Sequence, residues 1–206
     1  MFEVLTGTGL AASAGLNAYI PLLTMGLLAR YTEAINLPAG SAWLENGWTL
    51  VILGLLLSIE VVADKVPIVD HMNDIVQTFV RPTAGGLAFG AGSASETVTV
   101  ADPGSFFTSH QWVPILAGGL IALGVHGVKA ASRPVVNATT AGFGAPVAST
   151  AEDFGSVVMS VLAILLPILV LFGLVIMLWA AFWVLRRRRR RKRERISGVE
   201  TRQLFG

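Results

Sequence analysis

The sequence predicts an all-α, polytopic membrane protein with four long spans, two short Gly-rich half-spanning or re-entrant segments, and a candidate internal repeat. Three observations carry this. Of 206 residues, 53% are hydrophobic and only 14% are charged, against about 25% charged in an ordinary soluble domain. Mean hydropathy is +0.67, more apolar surface than a single soluble core absorbs. Apolar runs recur along the chain, and about 20 such residues cross a ~30 Å hydrocarbon core.

The first run, 4–31, carries small residues at Gly7, Ala11 and Gly15, a stripe suited to close helix contact. Pro21 lacks an amide hydrogen and interrupts it. Asn17 and Tyr19 stand ready to satisfy or exploit the break. A kinked spanning helix and a substrate-binding break both fit. No Lys or Arg precedes the run, which argues against a cleaved signal peptide. Residues 32–46 read as a loop, with Trp43 and Trp48 as interfacial aromatics.

The second span, 47–66, places Glu60 and Asp64 on one face, four residues apart. Pro67 stops it. Residues 68–80 then read as an amphipathic helix at the cytoplasmic surface. Ile68, Met72, Ile75, Val76 and Phe79 form its apolar face; Asp70, His71, Asp74, Gln77 and Arg81 lie opposite. Arg81-Pro82 ends this helix, and a short apolar segment, 83–92, follows. Residues 93–110 contain no Lys or Arg and read as an outer loop, with a short strand at 97–100.

The third long span, 111–132, repeats Gly118, Ala122, His126 and Ala130 at four-residue spacing, with His126, Lys129 and Arg133 along one face. Arg133-Pro134 ends it and 135–148 makes the second short segment. Ser149-Thr150 followed by Glu152-Asp153 reads as a helix start. The last span, 152–185, carries a kink at Pro167 and interfacial Trp179 and Trp183.

Charge divides sharply. The tail 186–195 holds eight Arg, one Lys and one Glu, whereas residues 1–185 hold five basic and eleven acidic groups. The pI of 9.4 therefore belongs to the tail and does not favour nucleic-acid binding by a folded domain. A basic tail is a cytoplasmic signal. It also attracts anionic lipid head groups, at about 1 kcal/mol per basic residue near the surface. Both termini are expected in the cytoplasm. The chain has no cysteine, which removes disulfides, thiolate metal sites and Cys nucleophiles.

Two stretches resemble each other. Lys65, Arg81-Pro82 and Thr83-Ala84-Gly85 parallel Lys129, Arg133-Pro134 and Thr140-Ala141-Gly142. Matched, Gly-interrupted short segments point to a transporter's central site.

A charge inside a span costs on the order of 2.5–3.5 kcal/mol on insertion scales. The leading ligand or coupling candidates are therefore Glu60, Asp64, His126, Arg81, Arg133 and Lys129. Asp70, His71, Asp74, Asn17, Asn137, Thr140, Glu152 and Asp153 rank second. These groups support three readings. One is structural ion pairing between helices. Another is a cation or proton pathway, with Glu60, Asp64 and His126 as the ligands of any metal. The third is anion recognition, in which Arg81 and Arg133 each precede a half-helix and bind a phosphate at its N-terminus. A polyprenyl-type lipid phosphate would suit that site, with hydrolysis as a minor variant. No cofactor is specified.

The segments AGLNAYIPLL (14–23), ExxxDKxPxxD (60–70), VRPTAGG (80–86) and NxTTAGFGxPxxSxxED (137–153) together resemble a bacterial membrane family known only as domain of unknown function 4126. The resemblance implies a bacterial inner-membrane protein and brings no activity or catalytic residues. The expectation is a non-enzymatic small transporter or channel for a cation, proton-coupled or small solute, as a candidate homo-oligomer in contact with membrane lipids. A lipid-phosphate binding protein or flippase is the alternative.

Overall fold

The computed structural model describes residues 2–65, 67–93, 112–140 and 144–176, with 178, 179, 182, 183 and 186. Among them, α1 (Phe2–Leu16), α2 (Tyr19–Tyr31), a 3-10 turn (Ala39–Glu45), α3 (Gly47–Ala63), α4 (Pro67–Gly92), α5 (Trp112–Thr140) and α6 (Gly144–Leu165) follow in order. A further helical stretch covers 169–176, and no strand occurs among the described residues. The short strand expected at 97–100 and the tail beyond Arg186 lie outside them.

Among the described residues, two helical segments are long and apolar enough to cross a membrane, Trp112–Pro134 and Gly144–Leu165. The 3-10 turn and α3, bent by 68°, make a third if read as one span. Exposed side chains on α3 are largely hydrocarbon: Val51, Ile52, Leu55, Ile59 and Val62 all face outward. Such a surface belongs in lipid.

The first expected span is not a span. Gly7 lies against Phe89 and Ser93, Leu10 against Gly92, and Gly15 against Ala122 and Val125. With the Gly15 carbonyl on Arg81, α1 runs antiparallel to α4. The chain then turns at Asn17-Ala18 and α2 runs back. Gly26 meets Leu44 and Leu50, and Arg30 Nη1 donates to the Glu45 carbonyl at 2.6 Å. α1 and α2 form a helical hairpin with its tip inside the bundle. Their 15 and 13 residues give arms of roughly 22 and 20 Å, each shorter than the ~30 Å core. Hydropathy measures the length of an apolar run, not its direction. Pro21 occupies the first turn of α2, where its missing amide costs nothing.

The last expected span also divides. Helix α6 starts at Gly144, not at Ser149, and stops at Leu165. Past Pro167 the chain folds back. A Cβ built on Gly173 would meet Met159, and one on Gly9 would meet both Ala163 and Val170. Pro167 is thus in a turn between two packed helical stretches, not a kink in one rod. The N-terminus starts at the end of the bundle where Ser93 lies, and 169–176 heads toward the opposite end.

The two half-segments are absorbed into long helices. Residues 68–80 and 83–92 form one helix, α4, with Pro82 inside it. Pro134 likewise lies inside α5, which runs to Thr140. A mid-helix proline frees one carbonyl and costs ~3 kcal/mol or more in water. In a membrane bundle, neighbouring helices and hydroxyls re-satisfy the backbone. The amphipathic stretch is inside out. Met72, Ile75, Val76 and Phe79 are exposed, while Gln77 and Arg81 are buried. With hydrocarbon as solvent, the polar face turns inward.

α1 is the central element, packed against α4, α5 and α6. Its residues Leu10, Ala11, Ala12, Ser13 and Ala14 have no exposed surface. The small-residue stripes on α1 and α5 make the close contacts expected of them. A Cβ at Gly15 would stand 2.6 Å from the Ala122 carbonyl oxygen, and one at Gly85 would stand 2.8 Å from that of Gly118. Two positions on α5 therefore separate packing from helix propensity. Gly118→Leu should wedge α4 from α5 and lower stability by about 1–3 kcal/mol. Gly124→Leu, with nothing within 4 Å, should leave it unchanged or higher. Thermal unfolding of the two variants in one detergent checks this, and equal behaviour would remove the close-contact role of the stripe.

Candidate functional site

The site grows from the end of α1. A helix C-terminus leaves four carbonyls without intrahelical donors, and inside a bundle each must be met. The Ser13 carbonyl accepts from Asn17 N at 3.0 Å and from Ser156 Oγ at 3.1 Å. The Gly15 carbonyl accepts from Arg81 Nη1 at 3.2 Å. The Leu16 carbonyl accepts from Lys129 Nζ at 3.1 Å. Two cations from α4 and α5 thus take the negative end of the α1 dipole. Asn17 Oδ1 accepts from the amides of Tyr19 and Ile20, at 3.1 and 3.3 Å, so the same residue that ends α1 begins α2.

Those cations need carboxylates, because an uncompensated charge in a low-dielectric interior is costly. Arg81, 0% exposed, donates from Nη2 to Glu60 Oε1 at 2.7 Å. Its other terminal nitrogen donates to His126 Nδ1 at 3.0 Å. Arginine only donates, so Nδ1 accepts and the tautomer of His126 is set. His126 Nε2 then reaches Thr78 Oγ1 at 3.3 Å.

Asp64 sits at the end of α3 and serves more partners. Its Oδ2 accepts from Lys129 Nζ at 2.9 Å and Arg133 Nη2 at 3.2 Å, with Arg81 Nη2 at 3.9 Å. Its Oδ1 accepts from Asn73 Nδ2 at 2.8 Å. Glu152 Oε2 closes the cluster from α6, 3.1 Å from Lys129 and 3.0 Å from Arg133. Beside it, Asn17 Nδ2 donates to Asp153 Oδ1 at 3.0 Å. The six leading residues expected from the sequence therefore meet in one place, and Glu152, Asp153 and Asn17 join them from the second rank.

Two expectations change. Glu60, Asp64 and His126 do not converge on a metal, because Arg81 stands between Glu60 and His126 and bonds both. Among the described residues no group of three or more His, Asp or Glu is placed to hold a metal ion. Arg81 and Arg133 do not stand before half-helices. Each lies inside a continuous helix, so neither is followed by the half-helix N-terminus that the phosphate reading required. Thr140 is engaged with backbone: its Oγ1 donates to the Val136 carbonyl and accepts from Gly144 N, both at 2.8 Å. The side chains of Asp70, His71 and Asn137 lie outside the described residues. Asp74 is half-buried, in the α4 turn that carries Asn73, Gln77 and Thr78.

Sequence reasoning missed Asn73 and Thr78 and undervalued Gln77. Asn73, Gln77 and Arg81 recur every four residues, and that polar stripe beside an apolar one was the available signal. It also missed a buried serine triad, in which Ser13 Oγ lies 2.7 Å from both Ser156 Oγ and Ser160 Oγ. Several polar atoms of the cluster keep spare capacity. Glu60 Oε2, Gln77 Oε1 and Arg81 Nε are buried with no hydrogen-bond partner among the described residues. Such groups ordinarily take water or a ligand.

Arg81→Met should cost about 3–5 kcal/mol, because it strands Glu60 in the interior. The double variant Glu60→Met with Arg81→Met should recover a large part of that loss. Unfolding in mixed micelles measures both. Additive losses would mean that the pair is not coupled.

No curated protein and no solved structure matches this chain. A family model does, over residues 4–187, which takes in every residue of the charged cluster and, among the described helices, all but the first two residues of α1. The chain belongs to the family described as a domain of unknown function, DUF4126.

Proposed function

We propose that this protein is a small, non-enzymatic membrane transporter in which the buried charged cluster is the coupling site for a proton or another small cation, alone or with a small solute. One observation carries the reading: the tip of the α1–α2 hairpin, with the ends of both helices, lies against a cluster of buried acids and bases. Helices interrupted at depth, with their ends aimed at polar groups, are how transporters build sites in lipid. A purely structural core would be cheaper if made of hydrocarbon.

The lipid-phosphate reading loses support, since neither Arg81 nor Arg133 is followed by the half-helix N-terminus it needed. Glu60 is the favoured coupling group. Among the described residues it has one ion-pair partner and one buried oxygen to spare, whereas Asp64 is held by Lys129, Arg133 and Asn73. We assign the tail and the Lys65–Arg133 end of the bundle to the cytoplasm, because basic residues gather there. The N-terminus, at the other end, is then outside, which revises the expectation of two cytoplasmic termini. A bacterial inner membrane, anionic lipids at Arg186–Arg195 and a homo-oligomer joined through small-residue faces complete the proposal. The Arg-Pro units of α4 and α5 are retained as a candidate internal pair.

The test is reconstitution into liposomes with an internal pH indicator and an imposed proton gradient. Wild-type protein should collapse the gradient, alone or on addition of a solute. Glu60→Gln should slow this at least tenfold while remaining monodisperse. Wild-type protein that leaves the gradient intact across monovalent cations, divalent cations and small solutes would defeat the proposal. So would a Glu60→Gln variant with unchanged flux.

A further inference from the structure

His126 is buried and held in one protonation state from both sides. Its Nδ1 lies 3.0 Å from Arg81 Nη1 and accepts from it, because a guanidinium only donates. On the other side, Nε2 lies 3.3 Å from Thr78 Oγ1. The Thr78 hydroxyl proton is already given to the Asp74 carbonyl at 2.8 Å. A hydroxyl carries one proton, so toward the ring Thr78 Oγ1 only accepts, and Nε2 carries the hydrogen. Two independent bonds specify the same neutral tautomer, Nε2–H with a bare Nδ1.

The charges that act on this ring come from three helices. On α4 they are Arg81, at Nδ1, and Asp74, one turn before Thr78; on α5 it is Lys129. Lys129 is itself held by Asp64 and Glu152. Glu60 of α3 reaches the ring through Arg81, which donates from Nη2 to Glu60 Oε1 at 2.7 Å. From α1, the Gly15 carbonyl shares Arg81 Nη1. Asp74 is half-buried, and its Oδ1 is buried with no hydrogen-bond partner among the described residues.

Ionised Glu60, Arg81 and neutral His126 sum to zero charge. One added proton, on Glu60 or on Nδ1, leaves the trio at +1. Two leave it at +2, in an interior where uncompensated charge is costly. The two positions act on Arg81 in opposite senses. A proton on Glu60 weakens the hold from α3 and leaves Arg81 on Nδ1. A proton on Nδ1 turns an acceptor into a donor and adds a like charge, which drives the guanidinium off α5 and onto Glu60. The imidazolium, its Nε2–H unchanged, then has the Asp74 carboxylate as counter-ion. We propose that His126 is the second proton site of the cluster, that it and Glu60 hold a proton in alternation and never together, and that Arg81 is the switch between them. This assignment rests on the reading of the cluster as a proton-coupling site, and adds to it the group that takes a proton when Glu60 has given one up.

The test uses full-length protein in nanodiscs with nitrogen-15-labelled histidine, read by NMR across a pH series. Among the three histidines of the chain, His126 is the one whose signals are missing from His126→Asn. At neutral pH a single neutral tautomer should appear, with its proton on Nε2. On acidification Nδ1 should take a proton. Glu60→Gln fixes that side chain in an uncharged form, and His126 should then protonate about one pH unit lower. Asp74→Asn, at a half-buried position, should shift the titration the same way, and it carries the test if Glu60→Gln does not fold. Asn at 126 keeps an acceptor for Arg81 but takes no proton, so His126→Asn should stay monodisperse and slow proton flux in liposomes about tenfold. Mixed tautomers at neutral pH, or a ring that does not titrate, would overturn the proposal. So would a titration that a folded Glu60→Gln or Asp74→Asn leaves unmoved. Undiminished flux in His126→Asn, beside a wild type that moves protons, would overturn it while the transport reading stands. Linked titration in a wild type that moves no protons would uphold the alternation and defeat the transport reading.

Discussion

The interior end of α1 is the constraint from which the rest of the bundle follows. A helix that stops inside a low-dielectric core presents bare carbonyls, and each would cost several kcal/mol if left alone in hydrocarbon. This chain meets two of them, at Gly15 and Leu16, with Arg81 and Lys129. That choice imports two full charges, which in turn require Glu60 and Asp64 from α3 and Glu152 from α6. Arg133 balances the third carboxylate. A backbone problem on one helix has become an ionic cluster that ties α3, α4, α5 and α6 to the hairpin tip.

Packing and charge depend on each other. Arg81 and Lys129 reach the α1 carbonyls only because the three backbones lie close together, and that closeness rests on Gly15, Gly85 and Gly118 facing backbone carbonyls. Larger residues there would move the guanidinium and ammonium groups away from their acceptors. The glycines give close helix contact without a hydrophobic driving force, as expected where the solvent is itself hydrocarbon. The ion pairs then fix register, since Asp64 must meet Lys129 and Arg133 at once.

The helical class and the residues of the cluster were legible in the sequence because a charge in an apolar run is rare and has few physical explanations. Glu60, Asp64, Arg81, His126, Lys129 and Arg133 all stood out this way and all meet. Topology was less legible. An apolar run of 28 residues with Asn17 at its middle reads the same whether the chain continues or doubles back, because hydropathy carries no direction. Arg81-Pro82 and Arg133-Pro134 were misread as helix ends by a rule that holds in water and relaxes inside a bundle. The face of α4 was inverted for a related reason. Its polar stripe was assigned to solvent, when in lipid the polar stripe is the core.

The two acids of α3 are not equivalent, and the difference bears on how the cluster could work under the proposed transport function. Asp64 accepts from Lys129, Arg133 and Asn73, so neutralising it would loosen α4 and α5 together. It behaves as a lock. Glu60 holds Arg81 through one oxygen and leaves the other buried, with no hydrogen-bond partner among the described residues. A proton arriving at that second oxygen would weaken the attraction for Arg81, whose other partners are His126 Nδ1, the Gly15 carbonyl and, at 3.9 Å, Asp64 Oδ2. The guanidinium would then be held mainly by the hairpin tip and α5, and by α3 only through the longer contact to Asp64. Since α3 otherwise buries only Leu50 and Leu53 within its own span, the Glu60–Arg81 pair is a principal tie between α3 and the core of the bundle. Proton occupancy at one carboxylate is thereby linked to the attachment of one helix, which is the form a coupling step requires.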